Sequence, residues 1–138
     1  MRADLRLGDA FVGDARSYAP EDFERFEVVT AEGAIPIDGS DGDVPALNAA
    51  DLPEGLAVIV HQSVPLEMTW DSWGSFAAFA EYKGLGDVAT MQAERGLSRT
   101  DLRQADIRYA RSLVAIGHGR GADVVTGLRS EIVALANP

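Results

Sequence analysis

The stretch "GLAVIVHQSV", residues 55–64, constrains the fold more than any other part of the chain. In an extended chain Leu56, Val58 and Val60 fall on one side and Ala57 and Ile59 on the other. Both faces are apolar, so both require cover. Other segments offer themselves as partner strands. Residues 3–7, "ADLRL", alternate with period two, and residues 23–30, "FERFEVVT", place Phe26, Val28 and Thr30 on one face. Residues 34–47 are dense in Gly, Pro and Asp, which predicts short extended pieces joined by a turn. Residues 130–136 read as a further strand, with Ile132, Val133 and Leu135 for bulk and Pro138 as its stop. That strand needs a neighbour, either beside residues 56–64 or on a second chain.

Between these strands the periodicity changes. From Asp71 to Lys83, Trp73, Phe76, Ala77 and Ala80 recur at helical spacing, with Asp71 or Ser72 as N-cap and Gly84 as a stop. Asp87 to Arg95 predicts a second, short helix with Val88 and Met91 inward. A third helix is expected from Ser98 or Thr100 onward. There Leu102, Ala105, Tyr109, Leu113 and Ile116 step by three and four, and Arg99, Arg103, Arg108 and Arg111 lie off the stripe. The order of strands, three helices and one strand predicts a mainly β or α+β domain. The 138 residues fit one domain, β-rich over 1–70 and 130–138 with a helical insertion over 71–117.

The charge balance narrows the function classes. The net charge of −10 argues against non-specific nucleic-acid binding, which requires cations to displace counterions. Residues 1–94 carry 5 basic and 18 acidic side chains, whereas residues 95–138 carry 7 basic and 4 acidic. A basic helix packed on an acidic body explains that split, as does a basic patch for an anionic partner. The absence of cysteine excludes disulfide scaffolds, thiolate metal sites and thiol nucleophiles. No apolar run approaches the roughly 20 residues that span a bilayer as a helix.

No catalytic constellation is legible. "GHGRGAD", residues 117–123, has dinucleotide-like glycine spacing, but it follows a predicted helix instead of opening one, so it reads as a cap and loop. "DGSDGD", residues 38–43, misses the calcium-loop register, having Gly42 at the fifth position, and reads as a turn. His61 shares a face with Ala57 and Ile59, which suits a hydrogen-bonded core residue; His118 lies in the glycine loop. The aromatic series Trp70, Trp73, Phe76, Phe79 and Tyr82 reads as core, or as the lining of a cleft. No cofactor is implied by these residues, and no catalytic or metal-ligating set is assigned.

Taken together, several segments resemble a known family. These are "RLGDAFVGDARSYAPEDFERFEV", "GLAVIVHQSV", the Trp73, Phe76, Phe79, Lys83, Gly84 series, and above all "RYARSLVAIG" (108–117) and "EIVALANP" (131–138). They look like the bacterial exported proteins of unknown function often labelled nickel-uptake periplasmic components. The resemblance implies a periplasmic, immunoglobulin-like β-sandwich with a three-helix insertion before the last strand, equivalent to the N-terminal part of a longer protein. It implies a non-enzymatic binding or accessory role linked to nickel or cobalt uptake. His61 matches a histidine associated with this strand in the family, although no metal ligand is carried over. A ligand, if bound, is expected between the strand bearing His61 and the helix bearing Tyr109 and Arg111. The alternative is a structural module that forms a homodimer through an edge strand.

Overall fold

A computed structural model describes residues 1–9 and 12–134. The chain divides into two compact units, one of Met1–Val64 with Ile107–Pro138 and one of Pro65–Asp106. The fold is mainly β, with several antiparallel sheets and, among the described residues, two α-helices.

The first unit is built on a four-stranded antiparallel sheet. Its strands are β4 (Phe23–Thr30), β5 (Gly33–Pro36), β7 (Gly55–Ser63) and β10 (Tyr109–Ile116), in the order β10-β7-β4-β5. As its double-sided apolar pattern requires, β7 is internal, paired with β4 on one side and β10 on the other. Two shorter pairs flank this sheet: β1 (Arg2–Ala3) with β6 (Leu47–Asn48), and the hairpin of β2 (Leu5–Asp9) with β3 (Val12–Arg16).

Register divides the side chains between the two faces. Phe26 stands opposite His61 and Val28 opposite Ile59, so these four share a face with Ala57. Over that face pack Tyr18, Ile37, Ala46 and Leu47, forming the larger core. Tyr18 meets Phe23 edge-on at 5.3 Å and donates its hydroxyl to the Ile37 carbonyl at 3.1 Å, so its polar end is satisfied inside the core. On the opposite face Val58 and Val60 pack with Leu128, Val29 and Tyr109. The Asp-rich turn is tied to the same body. Gly42 donates to the Tyr18 carbonyl at 2.8 Å and Tyr18 donates to the Asp43 carbonyl at 2.9 Å, and Asp43 accepts from Ser40 N–H at 2.9 Å.

The second unit holds β8 (Leu66–Thr69) antiparallel to β9 (Arg103–Asp106), with α1 (Trp73–Tyr82) and α2 (Val88–Glu94) between them. The caps are Ser72, whose hydroxyl accepts from Ser75 N–H at 3.1 Å, and Asp87, which accepts from Ala89 and Thr90. The aromatic series makes a local cluster. Trp70 meets Phe79 at 5.0 Å and Phe76 at 5.7 Å, and Arg99 lies 4.5 Å over the Trp73 ring. Tyr82 is exposed.

Three expectations are corrected. The third helix is absent: residues 103–106 and 109–116 are strands, and Asp101 between the preceding turn and β9 has φ 53°. The apolar steps of three and four conceal an equally good alternation, Ala110, Val114 and Ile116 against Tyr109, Leu113 and Ala115, and pairing with β7 selects it. The insertion therefore has two helices, not three, and there is no basic helix. Residues 131–134 form no strand, and both sides of β7 are taken by β4 and β10, so these residues do not pair there. The remainder of the expected strand, residues 135 and 136, lies outside the described residues.

The buried Leu47 bridges the short β1–β6 pair to the main sheet's core. Leu47→Ala is expected to destabilise the fold by about 2–5 kcal/mol in chemical denaturation, while Val12→Ala, at a solvent-facing position, changes it by less than about 0.5 kcal/mol.

Candidate functional site

Residues 117–134 follow β10 without regular structure and lie over the Val58 and Val60 face through Leu128. Gly119 starts this return at a very close backbone approach, where an added Cβ would stand 2.1 Å from Gly55 N. A segment without ladder bonds needs other fastenings, and here side chains supply them. Arg25 donates to the Thr126 carbonyl at 3.0 Å. Arg111 presents both ends of its guanidinium fork to Asp123, at 3.0 and 2.5 Å, donates to the Val124 carbonyl at 2.9 Å, and also reaches the Ile132 carbonyl.

Glu131 completes the cluster. Its carboxylate accepts from Thr126 N–H at 3.1 Å, Thr126 Oγ1 at 2.8 Å and Gly127 N–H at 2.9 Å, and it stands 3.7 Å from Arg111 Nε. Asp123 accepts further from Ala134 N–H at 2.7 Å and Val124 N–H at 2.8 Å. The side chains of Arg111, Asp123 and Glu131 are only 12%, 2% and 9% exposed. Charges so far from water persist only when paired, and these are paired with one another. The Arg111 hydrogen bond holds the Asp123 pKa below the ordinary carboxylate value, with help from Ala134 N–H and against burial. The Thr126 N–H does the same for Glu131, again against burial.

Beside this cluster lies a groove of about 580 Å³, walled by Tyr109, Leu113 and Leu128 on one side and Glu131, Ile132 and Ala134 on the other. It adjoins β10, whose Tyr109, Arg111 and Leu113 contribute to its lining. Ser63 N–H donates to the Arg108 carbonyl at 2.9 Å in the β7–β10 register, which makes 63 and 108 a hydrogen-bonded pair. By the antiparallel alternation, residues 110, 112, 114 and 116 bond to β7, and the N–H and C=O groups of Tyr109, Arg111, Leu113 and Ala115 point outward. Three of those four residues line the groove.

Tyr109 and Arg111 thus share one face of one strand, whereas His61 opens onto the other face, because it pairs with Ala110 in register. The expected site between a strand and a helix is replaced by two adjacent strands. His61 adjoins a small cavity of about 90 Å³ with Asp4, Phe26 and Ser112 in its wall. Its ring packs against Phe26 at 5.3 Å and Phe23 at 5.9 Å and makes no hydrogen bond among the described residues, so packing holds it where a polar partner was expected. Burial pushes its pKa below that of free imidazole, and the charge of Asp22 partly offsets this. Among the described residues no group of three His, Asp or Glu side chains is placed to hold a metal ion. No helix among them is long and apolar enough to cross a membrane.

Asp123 and Glu131 were not singled out by sequence. With residues 98–116 read as a helix Arg111 falls off the apolar stripe, and only its place in β10 turns it toward these two carboxylates. No protein-family model, curated protein or solved structure matches the chain.

Because the pKa values of Asp123 and Glu131 are lowered on folding, their contribution is complete above the ordinary carboxylate range and is lost as pH falls through the lowered values. Amide exchange over 123–134, measured by mass spectrometry and corrected for intrinsic rates, is expected to gain speed on acidification from about pH 7 to about pH 3 before β4 and β7 do. Asp123→Asn is expected to loosen the same segment already at neutral pH.

Proposed function

We propose that the chain is a non-enzymatic binding or accessory domain of the cell envelope, related to metal-uptake components, and that it takes its ligand in the groove beside β10. The observation that carries the binding reading is the groove itself, whose volume falls in the roughly 300–1,000 Å³ range of ligand sites. Its apolar wall includes Leu113, Leu128 and Ile132, and its charged groups are spent on one another, which suits recognition more than proton transfer. The envelope location and the metal link rest on the sequence resemblance alone. An immunoglobulin-like sandwich is the finer fold reading, supported by the layer of Tyr18, Ile37 and Leu47 packed over Phe26, Val28 and Ala57.

Titration of the native chain with Nile red tests the groove. A saturable fluorescence rise is expected, weakened by Ile132→Asp and unaffected by Met91→Asp in the other unit; no saturable binding would overturn the reading. The metal link is tested by calorimetry with nickel, cobalt, zinc and calcium. Heat of binding and a raised melting temperature, both lost in His61→Ala, are expected if His61 is a ligand, and an absence of heat removes the metal from the proposal.

A second reading, a module that dimerises through an edge strand without any small ligand, is favoured by the edge of β10, which pairs with no further strand among the described residues. A sedimentation coefficient independent of protein concentration would sink it.

A further inference from the structure

We infer that Asp38 is a site of spontaneous backbone rearrangement to isoaspartate, and that Asp41, which opens a second Asp-Gly dipeptide in the same loop, is protected from it. In such a dipeptide the amide nitrogen of the glycine is the nucleophile, and glycine, lacking a side chain, shields that nitrogen least. The nitrogen attacks Cγ of the protonated aspartate carboxyl. A C–N bond forms, a C–O bond breaks, and the hydroxyl leaves with the amide proton as water. Water then opens the cyclic imide at its main-chain carbonyl, so the chain continues through the side-chain carbon and the old main-chain carbonyl becomes a free carboxylate. Nothing is oxidised or reduced, and water is the sole co-reactant.

By sequence Asp38-Gly39 and Asp41-Gly42 are equivalent; hydrogen bonding separates them. Gly42 N–H donates to the Tyr18 carbonyl at 2.8 Å. The turn around that dipeptide is closed by Asp43 N–H on the Ser40 carbonyl at 3.0 Å and by Ser40 N–H on the Asp43 carboxylate at 2.9 Å. A nitrogen held by a carbonyl keeps its proton, and a turn fastened at both ends must open before the ring can close. Asp38 is exposed, and among the described residues Gly39 N–H donates no hydrogen bond. The residues on either side of Asp38 are nevertheless anchored. Ile37 donates its N–H to the Phe26 carbonyl at 2.8 Å and accepts the Tyr18 hydroxyl at 3.1 Å. Gly39 lies against the Tyr18 ring, where an added Cβ would stand 3.1 Å from its carbons. Rearrangement lengthens the main chain between these two anchors, so its effect passes to Tyr18 and through it to the larger core.

The test is prolonged incubation of the full native chain near neutral pH, followed by peptide mapping with electron-transfer fragmentation, which distinguishes isoaspartate from aspartate. Isoaspartate is expected to accumulate at Asp38 roughly tenfold faster than at Asp41, the factor set by hydrogen bonds that must open first. In the urea-unfolded chain, where those bonds are gone, the two positions are expected to convert at similar rates. Asp38→Glu keeps the charge but requires a larger, slower-forming ring. It is expected to remove the product from that peptide and to spare the aged protein the accompanying fall in melting temperature. Conversion at Asp41 as fast as at Asp38 in the native chain would overturn the protection assigned to the Gly42 hydrogen bond. Conversion at neither position would overturn the site, because the Tyr18 ring would then hold Gly39 as firmly as a hydrogen bond does. A difference that persists unchanged in urea would show that the fold is not its cause, and the inference would fail.

Discussion

The guanidinium of Arg111 is the contact on which the C-terminal stretch of the first unit depends. It rises from an edge strand, and residues 117–134 beyond that strand have no ladder of their own. Backbone carbonyls at Val124 and Ile132, together with the carboxylates of Asp123 and Glu131, converge on this one side chain and on one another. The planar five-donor fork of arginine suits such a task, since it can serve a bidentate carboxylate and carbonyl oxygens at once. An ammonium in the same place would offer a point charge and fewer directions. The apolar contribution comes from Leu128 set on Val58 and Val60. A polar clasp over an apolar strip is thus what closes that face of the sheet.

Much of the scaffold was legible because its periodicities were clean. Residues 23–30 coincide with β4, and the two-sided pattern at 55–64 correctly demanded an internal strand. Ser72 and Asp87 cap the two helices as their side-chain chemistry suggests. Residues 98–116 were not legible, and the reason is specific. Apolar residues at 102, 105, 109, 113 and 116 satisfy a helical stripe, while 110, 114 and 116 satisfy a strand face equally well. The choice lay with β7, whose free side needed a partner and whose odd-numbered residues needed hydrogen bonds. Local pattern cannot report a neighbour's unmet valence.

The site was legible as residue types and not as an arrangement. Tyr109 and Arg111 do come together, on alternate positions of β10, but the strand assignment turns His61 to the opposite face of the sheet. The same reassignment converts four arginines from the outside of a helix into residues with separate environments. Arg103 is in β9, Arg99 covers Trp73, Arg111 is buried in its clasp, and Arg108 directly precedes β10. An apparent basic patch dissolved once the chain was extended. Asp123 and Glu131, by contrast, gained meaning only from a partner 12 and 20 positions away, a relation that no spacing rule encodes.

Arg111 also belongs to the groove wall, and this joins architecture to recognition. Any occupant of the groove touches the residue that fastens the segment forming the groove's far side. The free energy of binding and the stability of that segment are then linked quantities. A molecule that fits only when the clasp is closed strengthens the clasp by the same factor by which the clasp improves its affinity. The buried carboxylates set the direction of any such coupling with pH, because conditions that protonate them loosen the wall. Because the fastening is made of charges with few alternative partners, the groove's shape depends on electrostatics to a degree that an apolar wall alone would not produce.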